Sequence, residues 1–168
     1  MCIYTGIPDQ RRICEMQQGR NSSYGTKPYG NRPGNSQQSA QPVVDIKALN
    51  AANFADYAEK VIQEHNQSRD KISTTQLRGL FALLIEVREI IRVRQDKQLD
   101  ENLISRVQYI KMRFVYAAGR GEKGVPAFMQ QSALIECLDT VKDSVKQFEL
   151  ICKYMEALVA YHKYYIGG

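Results

Sequence analysis

The chain carries little equipment for chemistry. It has only two histidines, His65 and His162, and four cysteines, Cys2, Cys14, Cys137 and Cys152. No two cysteines form a Cys-x-x-Cys pair, so neither a zinc knuckle nor a dithiol redox site is expected, and they read as free thiols. Neither histidine has a ligand partner at a spacing such as His-Glu-x-x-His, so both read as ordinary surface or half-buried side chains. Gly-x-Ser-x-Gly, a phosphate-cradling Gly-x4-Gly-Lys and an Asp-x-Asp pair for magnesium are all missing. Gly119 to Gly124 is glycine-rich, but it follows a helical pattern, whereas a phosphate loop follows a strand. No apolar run approaches the roughly 20 residues of a membrane span, and Met1–Ile7 is neither basic nor apolar enough for a secretory signal. No catalytic residue, metal site or cofactor is therefore expected, and no membrane partner. A soluble protein of a reducing cytoplasm is.

Apolar and charged residues are present at ordinary levels, 43% and 24%, but they are unevenly spread. Residues 1–42 hold five of the eleven glycines and four of the five prolines, with many Asn, Gln and Ser. Such a stretch cannot bury enough apolar area to offset its ordering entropy. It is expected to be a disordered tail, with the folded domain at 43–168. Tyr4, Tyr24 and Tyr29 interleave with Arg20, Lys27 and Arg32, which suits either loose RNA contact or a passive extension. Of the net charge of +5, the tail supplies +3 and the domain +2. If the domain binds nucleic acid, its cations must be clustered on one face.

From Asn50 onward the apolar period is helical, with neither sustained alternation nor a hairpin turn. The pattern predicts an all-α, compact antiparallel bundle of about five helices. The first runs from about Asn50 to Asn66, with Phe54, Tyr57, Ala58, Val61 and Ile62 on one face. The second opens on Ser73 and Gln76, which have capping-box spacing. It is so apolar, from Leu77 to Ile91, that it is expected at the centre. The third runs from about Glu101 to Ala118, ended by Gly119 as a left-handed cap, and Arg120 to Gly124 then reads as a mobile basic loop. Pro126 suits the first turn of a fourth helix reaching about Val141. A second capping box, Ser144 and Gln147, opens a fifth that ends near Tyr165.

The third helix carries the strongest functional pattern. With Leu103, Val107, Ile110, Phe114 and Ala117 buried, Arg106, Tyr109, Arg113, Tyr116 and Arg120 form a second stripe, rotated from the first by roughly 100°. Guanidinium forks for phosphates, with aromatic faces between them, suit a nucleic-acid strand. The same pattern also fits tyrosines bordering a core and arginines that are solvated or ion-paired. Lys111 lies on the other flank. On the second helix, Glu86 and Glu89 are placed to pair with neighbouring arginines, whereas Arg78 has no acid three or four residues away and is the better anion candidate. Glu156 reads as a paired structural carboxylate. The Tyr161, Tyr164, Tyr165 cluster fits a protein interface or a core edge.

Two segments resemble a known family. Ile110 to Arg120 is similar to its hydrophobic-basic Tyr-x-x-Gly-Arg helix end. Tyr154 to Tyr165, followed by Gly167 and Gly168, is similar to its Glu-Ala-x-x-Ala-Tyr final helix. Thr75-Gln76-Leu77-Arg78 is a weaker match, and Ile166 is a minor departure. On these residues, about Asn66 to Gly168 resembles the small subunit of the type III-A CRISPR interference complex, the Csm effector. The resemblance implies a non-catalytic helical bundle whose copies stack beside the backbone and large subunits and hold target RNA along the guide-RNA duplex. Position by position, it implies phosphate contacts by Arg78, Lys111, Arg113 and Arg120; Arg106 joins them from the stripe alone. The competing reading is a helical protein-interaction module with no nucleic-acid role.

Overall fold

A computed structural model describes residues 42–166. The expected tail, apart from Pro42, lies outside them. Six helices follow in order: α1 (Phe54–Gln67), α2 (Thr74–Arg94), α3 (Glu101–Gly119), α4 (Val125–Ser132), α5 (Leu134–Asp139) and α6 (Val145–Tyr165). No strand occurs among the described residues. One isolated antiparallel bridge, Gln98 to Ser144, ties the loop before α3 to the start of α6.

Local chemistry explains most of the boundaries. Helix α1 starts at Phe54 rather than near Asn50 because two asparagines capture the backbone first. Asn53 Oδ1 accepts from Asn50 N–H at 2.8 Å, and Asn50 Oδ1 accepts from Ala52 N–H at 2.8 Å, competition typical of this side chain. Helix α2 opens on a complete capping box: Ser73 Oγ accepts from Gln76 N–H at 3.2 Å while Gln76 Oε1 accepts from Ser73 N–H at 2.8 Å. The second box is only half formed. Ser144 Oγ accepts from Gln147 N–H at 3.2 Å, but the Gln147 amide turns to Thr140 Oγ1 at 2.9 Å. Asp100 caps α3 through Leu103 N–H and also accepts from Arg94 at 2.7 Å. That bond holds its carboxyl below the usual carboxylate value.

Three expectations need correction. The fourth helix is broken in two at Ala133, whose φ of 51° is left-handed. Gln131, Ser132, Ala133 and Leu134 are all buried, and a helix cannot bury four consecutive residues against one neighbour. The chain turns instead, and Tyr154 Oη donates to the Ser132 carbonyl at 3.1 Å. Gly119 is still helical, and the left-handed residues are Gly121 (φ 67°) and Gly124 (φ 79°). Helix α6, rather than α2, is the central element: it packs on α1, α2 and α5 and buries Phe148, Ile151, Cys152, Tyr154, Met155 and Leu158 completely.

The antiparallel relation of neighbours follows from paired positions. Ile72, just before α2, meets His162 near the end of α6, and Arg88 meets Glu156 further back. Gln76 meets Glu122, Glu86 meets Arg106, and Arg94 meets Asp100, so α2 and α3 also run in opposite directions.

Neither histidine is the ordinary side chain expected. Both are buried and together grip the backbone of one residue, Ile72. His65 Nε2 accepts from Ile72 N–H at 2.9 Å, and His162 Nε2 donates to the Ile72 carbonyl at 2.8 Å. With Nε2 accepting, His65 carries its proton on Nδ1 and donates to Gln131 Oε1 at 2.7 Å. Burial pushes the His65 pKa down from 6.5, as do His162 and Lys71 nearby, against the opposing hydrogen bond that His65 donates to Gln131. Cys137 and Cys152 are buried free thiols, both pushed up to about 12 chiefly by burial, and such thiols are inert. The Tyr-rich end is divided. Tyr161 and Tyr165 pack on the core edge, Tyr165 Oη donating to Glu59 at 2.5 Å, and Tyr164 is exposed.

Candidate nucleic-acid interface

Helix α3 buries Leu103, Val107, Ile110 and Phe114. That burial rotates Arg106, Tyr109, Arg113, Tyr116 and Arg120 into solvent, and all five are exposed. The two tyrosines are 53% and 60% accessible, too much for a mere border of the core. A groove of about 230 Å³ runs between α3 and α2 beside this stripe, lined by Gly79 and Leu83 on one side and Arg113, Tyr116 and Arg120 on the other, with Glu122 at its end. Arg106 and Tyr109 continue the surface along an open recess with Asn102 and Ser105.

The arginines are not equivalent. Arg113 and Arg78 have no acidic partner among the described residues. Arg106 donates to Asn102 Oδ1 at 3.0 Å and lies 3.7 Å from Glu86. Arg120 pairs with Glu122 at 2.9 Å and stands 5.9 Å from the centre of the Tyr116 ring, within cation–π range. All are surface groups whose pairs contribute little stability, so an external anion can compete with the acidic partners where there are any.

Two of the five expected positions fall outside this surface. Lys111 projects from the opposite flank of α3 and is bonded to Asp139 of α5. Arg78 is exposed on α2, but roughly 100° round the helix from groove-lining Gly79. The structure thus brings Arg106, Arg113 and Arg120 together and separates Arg78 and Lys111 from them. The remaining charges of α2 are paired as expected in part: Arg92 with Glu89 at 2.7 Å within the helix, and Arg88 with Glu156 at 3.4 Å across to α6.

Sequence reasoning missed the α2 wall of the groove. Gly79 was the available signal, an isolated glycine inside an otherwise strong helical run. A Cβ there would meet nothing within 4 Å, so no crowding requires the glycine. The loop after α3, expected to be mobile, is anchored to the start of α2. Gly124 sits against the backbone of Lys71 and Ile72, and Gln76 Nε2 donates to Glu122 at 2.9 Å.

These features define an all-α bundle presenting an arginine- and tyrosine-lined groove along one helix. Among the described residues no three His, Cys, Asp or Glu side chains gather as a metal would need, and no helix is long and apolar enough to cross a membrane. The family model described as Csm2 Type III-A matches residues 48–168. The chain is 38% identical over 94 residues to the CRISPR system Cms protein Csm2 of Mycobacterium tuberculosis, covering 56% of this chain and 75% of that one. It is 34% identical over 122 residues to the Streptococcus thermophilus protein of the same name, covering 71% and 96%. The Enterococcus italicus protein of that name is 32% identical over 125 residues, covering 67% and 89%. The chain belongs to the Csm2 family, the small subunits of type III-A CRISPR complexes. The match begins at residue 48, so it takes in α1, which the resemblance in the sequence did not reach.

Proposed function

We propose that this subunit holds the target RNA strand along the guide duplex by sequence-independent phosphate contacts, and that it plays no catalytic part in cytoplasmic antiviral defence. The observation that carries the reading is Arg113: an exposed, unpaired guanidinium at the middle of a groove, flanked by exposed tyrosines and by Arg106 and Arg120. A subunit serving any guide sequence must avoid reading bases, and backbone-directed arginines do this. In this reading Arg106, Arg113 and Arg120 form the contact surface, and Arg78 and Lys111 serve other contacts: the guide strand, neighbouring copies, or the backbone and large subunits. A domain excess of only +2 fits a surface that binds weakly alone and firmly when several copies align.

The test is equilibrium binding of the full chain to two unrelated single-stranded RNAs across a salt series. Equal affinities are expected. With three or four phosphates contacted, the log–log slope should be about −2 to −3. Arg113→Glu combined with Arg120→Glu should abolish binding, and binding that survives the pair sinks the assignment. A second reading rests on Met112 and Val115, exposed at 53% and 50% on the outer face of α3: the face would then contact protein, and charge reversal would weaken complex assembly while leaving RNA behaviour unchanged.

A further inference from the structure

Glu122 is placed unusually for a loop residue. One carboxylate oxygen receives the Gln76 side-chain amide at 2.9 Å and the other the Arg120 guanidinium at 2.9 Å. Gln76 is itself fixed, because its Oε1 closes the capping box of α2. The backbone beneath is fixed as well: Gly124 is buried, and Val125 N–H donates to the Glu122 carbonyl at 3.1 Å. A carboxylate therefore stands at the head of the groove, held on both oxygens, against the one end arginine that also overlies Tyr116. Carboxylate and phosphate offer arginine the same acceptor geometry.

We propose that Glu122 is a built-in phosphate mimic that masks Arg120 until RNA displaces it. This rests on the RNA reading and adds a regulation to it. In the free subunit Arg113 is the available guanidinium and Arg120 is spoken for. An arriving phosphate must compete with a tethered carboxylate, which is present at high effective concentration. Only a strand already engaged at Arg113, or held by neighbouring copies, competes well. The mask thereby suppresses capture of stray RNA by unassembled subunits without removing the contact from the assembled path. The exposed pair is weak, with Arg120 and Glu122 side chains 57% and 40% accessible, as a reversible latch requires.

The test uses the full chain and an unstructured single-stranded RNA over a salt series. Glu122→Gln keeps the shape and the Gln76 contact but frees Arg120. Glu64→Gln is the charge control, since Glu64 is exposed on α1, which packs chiefly on α6 and α4. Glu122→Gln should tighten binding about two- to five-fold beyond Glu64→Gln, the range of one exposed ion pair. It should also steepen the log–log slope by about 0.7, one further phosphate. In an Arg120→Gln background the gain should vanish, because the mask has nothing left to release. Equal effects of the two Glu variants, with Arg113→Glu combined with Arg120→Glu still abolishing binding, overturn the mask and leave the RNA reading standing. A gain that persists without Arg120 also overturns it. Absence of binding by the wild type, Glu122→Gln and Arg113→Glu alike removes the RNA reading and the mask together.

Discussion

At the residue scale, stability rests on a few positions whose demands come from distant backbone. A Cβ on Gly124 would lie 2.1 Å from the Lys71 carbonyl carbon, at a φ of 79° that L side chains rarely adopt. Gly124→Ala should therefore cost about 2–5 kcal/mol, combining left-handed strain with overpacking. Gly119 is helical and a Cβ there meets nothing within 4 Å, so Gly119→Ala should stabilise by about 0.5–1 kcal/mol. Denaturant titrations of the two variants check both signs. His65 gives a pH prediction. Its folded pKa lies below 6.5, so the folded state binds its proton less readily than the unfolded chain. Stability due to His65 is fully present above 6.5 and is lost as pH falls through 6.5 to the folded pKa, because the unfolded chain takes up the proton first. Thermal melts should show the melting temperature dropping between pH 7.5 and 5.5. His65→Gln should lower it at pH 7.5 while flattening that drop.

At the element scale, α2 and α3 matter as a pair. Each was legible from its stripe, but the groove exists only because they run antiparallel and close. Gly79 keeps the α2 wall low. Gly79→Leu should stabilise α2 by about 0.5–1 kcal/mol through helix propensity while weakening RNA binding by filling the groove. A raised melting temperature together with reduced RNA affinity is the expected combination; raised stability with unchanged affinity would move the RNA path elsewhere. The break between α4 and α5 is the opposite case. Ser132-Ala133-Leu134 contains no glycine or proline, and alanine is the best helix former. Tertiary burial of four successive residues overrides that propensity.

At the scale of the whole molecule, the charge excess is small and its placement decides its effect. Arginines collect on one flank of α3, while Arg88, Arg92 and Arg94 of α2 pair with carboxylates. If copies align their α3 grooves along one strand, each adds its phosphate contacts to a shared ligand. Arg113→Glu in every copy of an assembled complex should then reduce target-RNA affinity by more than it does in the isolated subunit, and the loss should shrink as salt rises, because the variant has fewer phosphate contacts to screen. Titration of complexes carrying wild-type and variant subunits measures this; equal losses in the two contexts would deny the additive contribution of copies.

The sequence by itself determined the helical class, the buried stripe of α3, the exposure of Arg106, Arg113 and Arg120, the Ser73 capping box and the family. Each depends on residues within a turn or two of one another, or on a linear motif. Tertiary structure alone decided that His65 and His162 grip Ile72, that Gly124 touches Lys71, that α6 is central, that Lys111 pairs with Asp139, and that Arg78 lies outside the groove. It also decided that Glu122 holds Arg120 from a ledge made by Gln76, 46 positions away. Periodicity reports which face of a helix turns inward, but not which residue of another element it meets there. Partners of that kind are fixed by how the helices pack.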